Sequence, residues 1–556
     1  MFERQSGATL ELPACAVGVQ PLGSSLPPGE PHAVSFSLPT WASVAANMAG
    51  EAWVKSAKQA TYPRMGMSPC VAKLCAVAMK RLGSPHGMKC RAFVSNSAAI
   101  RLDQTLKKKD PNSRMYAVDF HLAQSPCLES LKWGRFVLCL FAEDMESEAF
   151  TSWLNHGDGI SNRHAEFCLS NFQFMESECK TAGSRYQTPA PLSEKSAMYL
   201  PSWTDSGLKE KAVIKSALAV TMKSQQPSLA PVRGDDVFLY ATGMLAIGTI
   251  ARAISESLPK EAVAVIYGWL YSGTGPLVKE CGFARYILYG HGTEEELDQL
   301  ETSLEAGAKV TVLFCEITSN PQLYTPNLVR IKQLADRYDF IVVIDNTIGT
   351  SINVDVLPYA DVITTSLTKI FSGACNVMGG CLIVNPNSKH YQMIYTGLQD
   401  SFEDNFFPLD AKVLSKNCAD YRERVRKCSE TAREIAHLLA AHPFVEYVNY
   451  PTLVSSKAEY ENYRREGEGY GYLLSIVFRN PESAVRFYDE LDLWKGPSIG
   501  MNWTIGLPYS VLAHWEEQDW AATYGVPKHI VRLSIGLEPL DVLTVRVRSA
   551  LSNLSS

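Results

Sequence analysis

The sequence lacks several features that would assign it to a specialised class of protein. Its 14 cysteines include no Cys-x-x-Cys pair, which excludes the common zinc-binding and thioredoxin-like motifs. No run of about 18 apolar residues occurs, so no membrane-spanning helix is predicted. Lys and Arg total 52 against 58 Asp and Glu, and this net charge of -6 gives no basic surface for nucleic acid.

The first residues, MFERQSGATLELPAC, also lack the long apolar stretch of a secretory signal. Scattered cysteines in a long chain are typical of reduced, buried thiols. Together these absences predict a cytoplasmic protein without membrane, nucleic-acid or metal partners. The 556 residues are 46% apolar and 20% charged, which is ordinary for a globular protein with more than one domain.

Three segments differ in their patterns. Residues 1–195 predict an N-terminal extension of mixed α/β structure and unknown role. In residues 196–425, apolar β-branched stretches such as AVAVIYG, KVTVLFCEI and FIVVID alternate with helical patterns, which indicates a mostly parallel sheet covered on both faces. Residues 426–556 predict a smaller α+β domain.

Polar residues stand where the strands of the middle segment end. Glu316 ends KVTVLFCEI, Asp345 ends FIVVID, and DVITTS leads into Ser366, Thr368 and Lys369. Ligands bind beyond the carboxyl ends of parallel strands, so we expect these side chains to share one site. The apolar neighbours of the lysine predict a desolvated amine with a lowered pKa, which makes it nucleophilic.

This set suits pyridoxal 5′-phosphate (PLP). Lys369 would hold the aldehyde as a Schiff base, and Asp345 would keep the pyridine nitrogen protonated. A helix beginning at Gly243 and Met244 offers free N–H groups to the phosphate, and the hydroxyl groups of Ser366 and Thr368 can donate to it as well. Tyr271 could stack on the ring. Taken singly, each residue has an ordinary alternative: a surface lysine, a turn or cap, a salt-bridge partner or a packed aromatic.

The same stretches resemble motifs of the Cys/Met-metabolism PLP enzymes. SLTKIFSGACNVMGG resembles their cofactor-lysine segment, EITSNP their E-x-P-x-N-P, IDNTIGT their D-N-T-x-x-T, ATGMLAI their S-G-M-A-A-I, and VRLSIGLE their V-R-L-S-V-G-L-E. PHAVSFSLPTW, YPR, LYGHGTEEELDQLE and GPSIGMNWTIGLPYSVLAHW resemble one branch, the fungal-type cystathionine γ-synthases.

The resemblance implies the fold-type I, aminotransferase-like architecture in a homo-oligomer, a dimer or a tetramer. It implies that Lys369 also carries protons during the reaction, with Tyr271 as a second catalytic residue. Asn320 would contact the hydroxyl of PLP. Arg532 would bind the substrate α-carboxylate through its planar fork, and Ser498 would lie near the lysine.

The chain also departs from the family pattern. The family has a Tyr-x-Arg element before S-G-M that reaches the phosphate of the neighbouring subunit. The stretch assigned to that place here, YLPSWTDSGLKEK, has no arginine, and Lys209 and Lys211 are the candidate replacements. Gly373-Ala374-Cys375-Asn376 replaces the usual G-H-S-D, and Thr318 replaces the proline of E-x-P-x-N-P.

The resulting hypothesis is γ-substitution on an O-acyl-L-homoserine, with cysteine as the nucleophile and cystathionine as the product. In γ-substitution, loss of the acyloxy group gives an unsaturated, vinylglycine-type intermediate. A homologue of specialised metabolism would add a carbon or nitrogen nucleophile to this intermediate, and a lyase would release the intermediate without adding a nucleophile. A non-catalytic regulatory relative is a third possibility, which the intact Lys369, Asp345 and Arg532 argue against.

Overall fold

The computed structural model describes residues 18–62, 65–83, 85–179, 198–203, 205–258 and 261–554. Over these ranges the chain folds around three β-sheets, one for each of the patterns seen in the sequence. The mostly parallel sheet and the smaller α+β region expected of a fold-type I enzyme are confirmed.

The N-terminal part carries a sheet whose strands are all antiparallel, in the order β1-β3-β2-β4. Its elements are α1 (Trp41–Met48), α2 (Ala52–Ala57), α3 (Pro69–Arg81), β1 (Met88–Phe93), α4 (Asn96–Lys109), β2 (Tyr116–Leu122), α5 (Leu128–Trp133), β3 (Arg135–Ala142), α6 (Glu146–His156), α7 (Asn162–Asn171) and β4 (Met175–Cys179). Strand β3 is apolar from Phe136 to Ala142 because successive side chains pack on opposite faces of a sheet that is covered on both sides. Phe136 and Leu138 face α3 and α7, while Val137 and Cys139 face α4 and α6.

The large domain has a sheet in the order β5-β11-β10-β9-β8-β6-β7, in which β11 runs antiparallel to both of its neighbours. Its elements are α8 (Leu208–Thr221), β5 (Val237–Tyr240), α9 (Gly243–Ser257), β6 (Val263–Tyr267), α10 (Thr274–Glu280), β7 (Arg285–Tyr289), α11 (Glu294–Glu305), β8 (Val312–Glu316), α12 (Leu328–Tyr338), β9 (Ile341–Asp345), α13 (Thr350–Asn353), β10 (Val362–Ser366), β11 (Gly380–Val384), α14 (Tyr391–Ser401), α15 (Pro408–Asn417) and α16 (Tyr421–Ala440). The inner strands β6, β8 and β9 are buried on both faces, which explains their continuous apolar runs, whereas the edge strand β7 is partly exposed.

The small domain is built on a sheet in the order β12-β13-β16-β15-β14. Its elements are β12 (Val445–Asn449), α17 (Lys457–Tyr463), β13 (Leu473–Phe478), α18 (Pro481–Glu490), β14 (Trp494–Lys495), β15 (Ile505–Pro508), α19 (Tyr509–Ala513), α20 (Gln518–Thr523), β16 (Val531–Ser534) and α21 (Leu540–Ser552). The domain boundary predicted at residue 425 falls inside α16, a single continuous helix.

The first described residues do not pack with the N-terminal sheet. Phe36 and Leu38 are fully buried in the core of the small domain, and the backbone N–H of Leu38 donates to the carbonyl of Lys495 at 2.9 Å. The segment 18–62 thus lies along the small domain before the chain enters α3. Within the described ranges no helix is both long and apolar enough to cross a bilayer.

Candidate active site

A cavity of about 550 Å³ opens at the carboxyl ends of the parallel strands. The predicted residues that line it are Gly243, Met244, Tyr271, Glu316, Asn320, Asp345, Ser366, Thr368, Lys369 and Arg532. They come from chain positions almost 300 residues apart. Most of them meet because strands β5, β8, β9 and β10 end at one edge of the large sheet, and Arg532 reaches the same place from β16 of the small domain.

Two carboxyl groups lie side by side at this edge. Glu316 and Asp345 are paired in the register of β8 and β9; Glu316 is buried, and Asp345 is half-buried at the cavity. Burial raises the pKa of each carboxyl group, and the neighbouring Asp345 raises that of Glu316 further. Asp345 Oδ1 accepts from the backbone N–H of Thr347 at 2.9 Å, and Glu316 Oε2 accepts from that of Tyr271 at 2.8 Å. A buried carboxylate at the cavity floor suits the protonated ring nitrogen of PLP.

Lys369 follows β10 and is only 9% exposed. Its Nζ donates a hydrogen bond to the Tyr62 hydroxyl at 2.8 Å and lies 4.8 Å from the centroid of that ring. Tyr62 belongs to the segment that packs on the small domain, and it also lines the cavity. The predicted cofactor amine is therefore held at the cavity wall by a residue more than 300 positions earlier in the chain.

Tyr62 is a site residue that the sequence analysis missed. It begins YPR, which itself has the form Tyr-x-Arg; Pro63 and Arg64 lie outside the described residues. The N-terminal sheet is inserted between YPR and ATGMLAI, the stretch that resembles S-G-M. YPR therefore does not directly precede that stretch, whereas YLPSWTDSGLKEK does. The form of YPR was the signal that could have identified it.

The two candidate replacements for the arginine, Lys209 and Lys211, lie away from the cavity of their own chain. Lys211 Nζ donates to both carboxylate oxygens of Asp404 at 2.8 Å and lies over the Trp133 ring, so its charge is already engaged. Lys209 is exposed to solvent. Neither lysine lines the cavity.

The predicted phosphate cradle is formed by the start of α9 and by the end of β10. Thr242 caps α9 by accepting a hydrogen bond from the Leu245 N–H at 3.0 Å. The first residues of α9, Gly243 and Met244, line the cavity. A Cβ on Gly243 would stand 2.9 Å from that of Ser366, so a larger residue would push helix and strand apart. The Thr368 hydroxyl is bound to the backbone of Gly379 on the same side.

Arg532, on β16, closes the opposite side of the cavity. Its Nη1 donates to Asn320 Oδ1 at 3.1 Å, and its guanidinium carbon lies 5.1 Å from the centroid of the Tyr509 ring. The guanidinium is buried, and this burial lowers its pKa from the usual value. Ser498 is buried beside the Cys375 thiol, which lies close to Lys369, and its side chain does not line the cavity.

The N-terminal sheet domain contributes a wall of its own through α6. Phe150 and Leu154 line the cavity. The helix is fixed to the large domain by Asn155, whose Nδ2 donates to Glu280 Oε1 at 2.8 Å, and by the Thr242 hydroxyl, which donates to the Gly157 carbonyl at 3.1 Å. The extension of unknown role is thus a part of the cavity. No cluster of potential metal ligands occurs in the part of the chain that the structure describes.

Comparisons with known proteins agree with this arrangement. The family described as Cys/Met metabolism PLP-dependent enzyme matches residues 221–552, and the N-terminal domain of fungal trans-sulfuration enzymes matches residues 70–161. The chain is 53% identical over 533 residues to the cystathionine gamma-synthase-like protein ankD of Aspergillus thermomutatus, covering 96% of this chain and 94% of that protein. It is 33% identical over 615 residues to the cystathionine gamma-synthase of Neurospora crassa, covering 94% and 96%.

Among solved structures, the cystathionine gamma synthase of Xanthomonas oryzae pv. oryzae in complex with cystathionine has a TM-score of 0.53 at 24% identity, covering 67% of this chain and 95% of that one. This likeness shows the fold of the large and small domains. The expected cofactor, PLP, is that of the matched family. The chain belongs to the Cys/Met-metabolism PLP-dependent enzymes and carries the N-terminal domain of the fungal trans-sulfuration branch.

Proposed function

We propose that the protein catalyses γ-substitution on an O-acyl-L-homoserine, with cysteine as the nucleophile and cystathionine as the product. The observation that carries this proposal is the meeting of Lys369, Asp345 and Arg532 in one cavity. PLP bound there supplies an electron sink for the carbanion that forms when the substrate loses its Cα proton.

Each of these side chains has a separate task. Arg532 binds the substrate α-carboxylate in a bidentate manner, in a place where burial strengthens the interaction. Lys369 removes the Cα proton and then a Cβ proton, so that the γ-acyloxy group leaves as a carboxylate. It returns protons to Cβ and Cα after the thiol has added at Cγ, since its amine stands at the wall of the same cavity. Tyr62 holds that amine in position through the 2.8 Å hydrogen bond. Asp345 stays charged once a cation lies against it, despite its burial.

A second candidate is the addition of a carbon or nitrogen nucleophile in place of cysteine. The observation that favours it is the apolar wall formed by Phe150 and Leu154, which would accommodate a larger, less polar nucleophile. A lyase outcome would follow if no nucleophile adds before the product leaves.

One experiment separates these outcomes. Holoenzyme is incubated with O-acetyl- or O-succinyl-L-homoserine, with and without cysteine, and the products are identified by mass spectrometry. We expect cystathionine when cysteine is present. Formation of 2-oxobutanoate alone under both conditions would identify a lyase, and the absence of any product from either ester would overturn the proposal.

We further propose that the enzyme works in the cytoplasm as a homo-oligomer, a dimer or a tetramer. The described cysteines are free thiols, as a reducing compartment would keep them. Val213 and Val220, on one face of α8, are 42% and 59% exposed, and a second copy would cover these apolar side chains. Light scattering of the purified protein tests the oligomeric state.

A further inference from the structure

Beyond the groups already given a role, the described wall of the cavity carries the charged residues Lys55, Lys58 and Glu517. The two lysines come from the end of α2 and the residue after it, and the glutamate comes from the loop between α19 and α20. These charges therefore reach the cavity from separate elements, and none belongs to the motifs that identified the cofactor site.

Glu517 is held in place by a buried histidine. His514 Nδ1 lies 2.9 Å from Glu517 Oε1, and His514 itself is 4% exposed. The imidazole is packed 5.1 Å from the Trp269 ring and 5.6 Å from the Tyr509 ring, measured between centroids. Tyr509 also packs against Arg532. The histidine that holds Glu517 and the arginine proposed to bind the substrate α-carboxylate therefore contact the same tyrosine ring.

The charge of Glu517 is negative at neutral pH. The hydrogen bond from His514 lowers the pKa of this carboxyl group, and nearby Lys279 lowers it further. A carboxylate with a lowered pKa is a poor base for a thiol, since efficient proton transfer needs a better-matched pKa. It is well suited to binding a cation.

The two lysines offer the opposite charge. No described carboxylate lies within 4.0 Å of either ammonium group. Lys58 is partly buried, with its Nζ 4.8 Å from the centroid of the Phe36 ring, and this burial lowers its pKa, as does Lys55 one turn earlier. Two neighbouring cations without a carboxylate partner favour an anionic ligand.

We propose that these residues form a subsite for a second amino acid, in which Glu517 binds the α-ammonium group of the incoming nucleophile and Lys55 and Lys58 bind its α-carboxylate. The inference rests on the proposed γ-substitution and adds the residues that select its nucleophile. A zwitterionic thiol is then preferred over thiols that lack either charge. His514 acts as a positioning residue for the carboxylate.

The test uses holoenzyme, an O-acyl-L-homoserine and three competing thiols: cysteine, 3-mercaptopropionate without the ammonium group, and cysteamine without the carboxylate. Products are quantified by mass spectrometry, and release of 2-oxobutanoate without thiol is measured for each variant as the normalising rate. For Glu517→Gln we expect the preference for cysteine over 3-mercaptopropionate to fall about tenfold, the range of a lost charge-assisted hydrogen bond. For Lys58→Met we expect a similar fall in the preference for cysteine over cysteamine.

Glu516→Gln is the matched control, because Glu516 is exposed and does not line the cavity; its thiol preferences should equal those of the parent. Retention of PLP on dialysis is measured in parallel. The subsite would be overturned if the thiol preferences of Glu517→Gln were unchanged, or if none of the three thiols added while 2-oxobutanoate still formed. Loss of PLP from Lys58→Met without a change in thiol preference would also overturn it. If neither ester is consumed, the proposed function fails instead.

Discussion

The large domain and the N-terminal part contribute to the same cavity, but the sequence alone identifies their cavity residues to different extents. In the large domain, the candidate residues stand at the ends of strands, where the register of a parallel sheet places Glu316 opposite Asp345. In the N-terminal part, Tyr62 and Leu154 reach the cavity only because of how whole segments pack. Local sequence therefore identifies the first group, whereas the second depends on tertiary structure.

The largest effect is expected from the large domain. Lys369→Ala removes the amine that would bind PLP and carry protons, so kcat should fall by at least about a thousandfold. Turnover of O-acyl-L-homoserine and the visible absorbance of the protein measure this. Lys412→Ala, an exposed lysine on α15, should behave as the parent. Full turnover in Lys369→Ala would remove the basis of the site.

The next effect concerns Arg532. A lysine at this position keeps the charge but loses the planar fork and its contact with Asn320, so we expect KM for the homoserine ester to rise about tenfold to a hundredfold. Steady-state kinetics measure this, with Arg479→Lys at the surface as the control. A KM equal to that of the parent would show that the substrate carboxylate binds elsewhere.

Tyr62→Phe tests whether the N-terminal part takes part in the chemistry. The change removes the hydroxyl that accepts the hydrogen bond from Lys369 and keeps the ring, so kcat should fall about tenfold and its pH profile should shift. The control is Tyr447→Phe, at a 40% exposed position on β12. If both variants retained the parental profile, the contact with Lys369 would have no catalytic role.

The smallest effect concerns stability. The pKa of Glu316 is raised in the folded protein, so the folded state loses stability as the pH rises through that pKa and the buried group ionises. Glu316→Gln mimics the protonated form and should stabilise the PLP-free protein at neutral pH by about 1–3 kcal/mol. The gain should disappear at acidic pH, where the parental carboxyl is protonated. Denaturant unfolding at several pH values measures it, and a gain that grows toward acidic pH would contradict the assignment.

Much of the fold could be predicted because apolar β-branched runs alternating with helical patterns specify a parallel sheet. The proximity of the polar residues at the strand ends could also be predicted, because the carboxyl ends of parallel strands lie at one edge of a sheet. The Tyr-x-Arg form of YPR marks Tyr62 as a candidate, but its contact with Lys369 depends on how the segment 18–62 packs and could not be predicted. The ion pair of Lys211 could not be predicted either, because its partner, Asp404, lies almost 200 residues away in the chain. The position of Ser498 near the lysine stays a prediction; its neighbours Pro497 and Ile499, rather than its own side chain, line the cavity.

The attachment of the cofactor is the most direct test. Holoenzyme is reduced with borohydride, digested, and searched by mass spectrometry for the pyridoxyl-modified peptide. We predict the modification on Lys369, in the peptide that contains SLTKIFSG, and its absence in Lys369→Ala. Modification of another lysine, or none in a protein that still consumes the homoserine ester, would contradict the account.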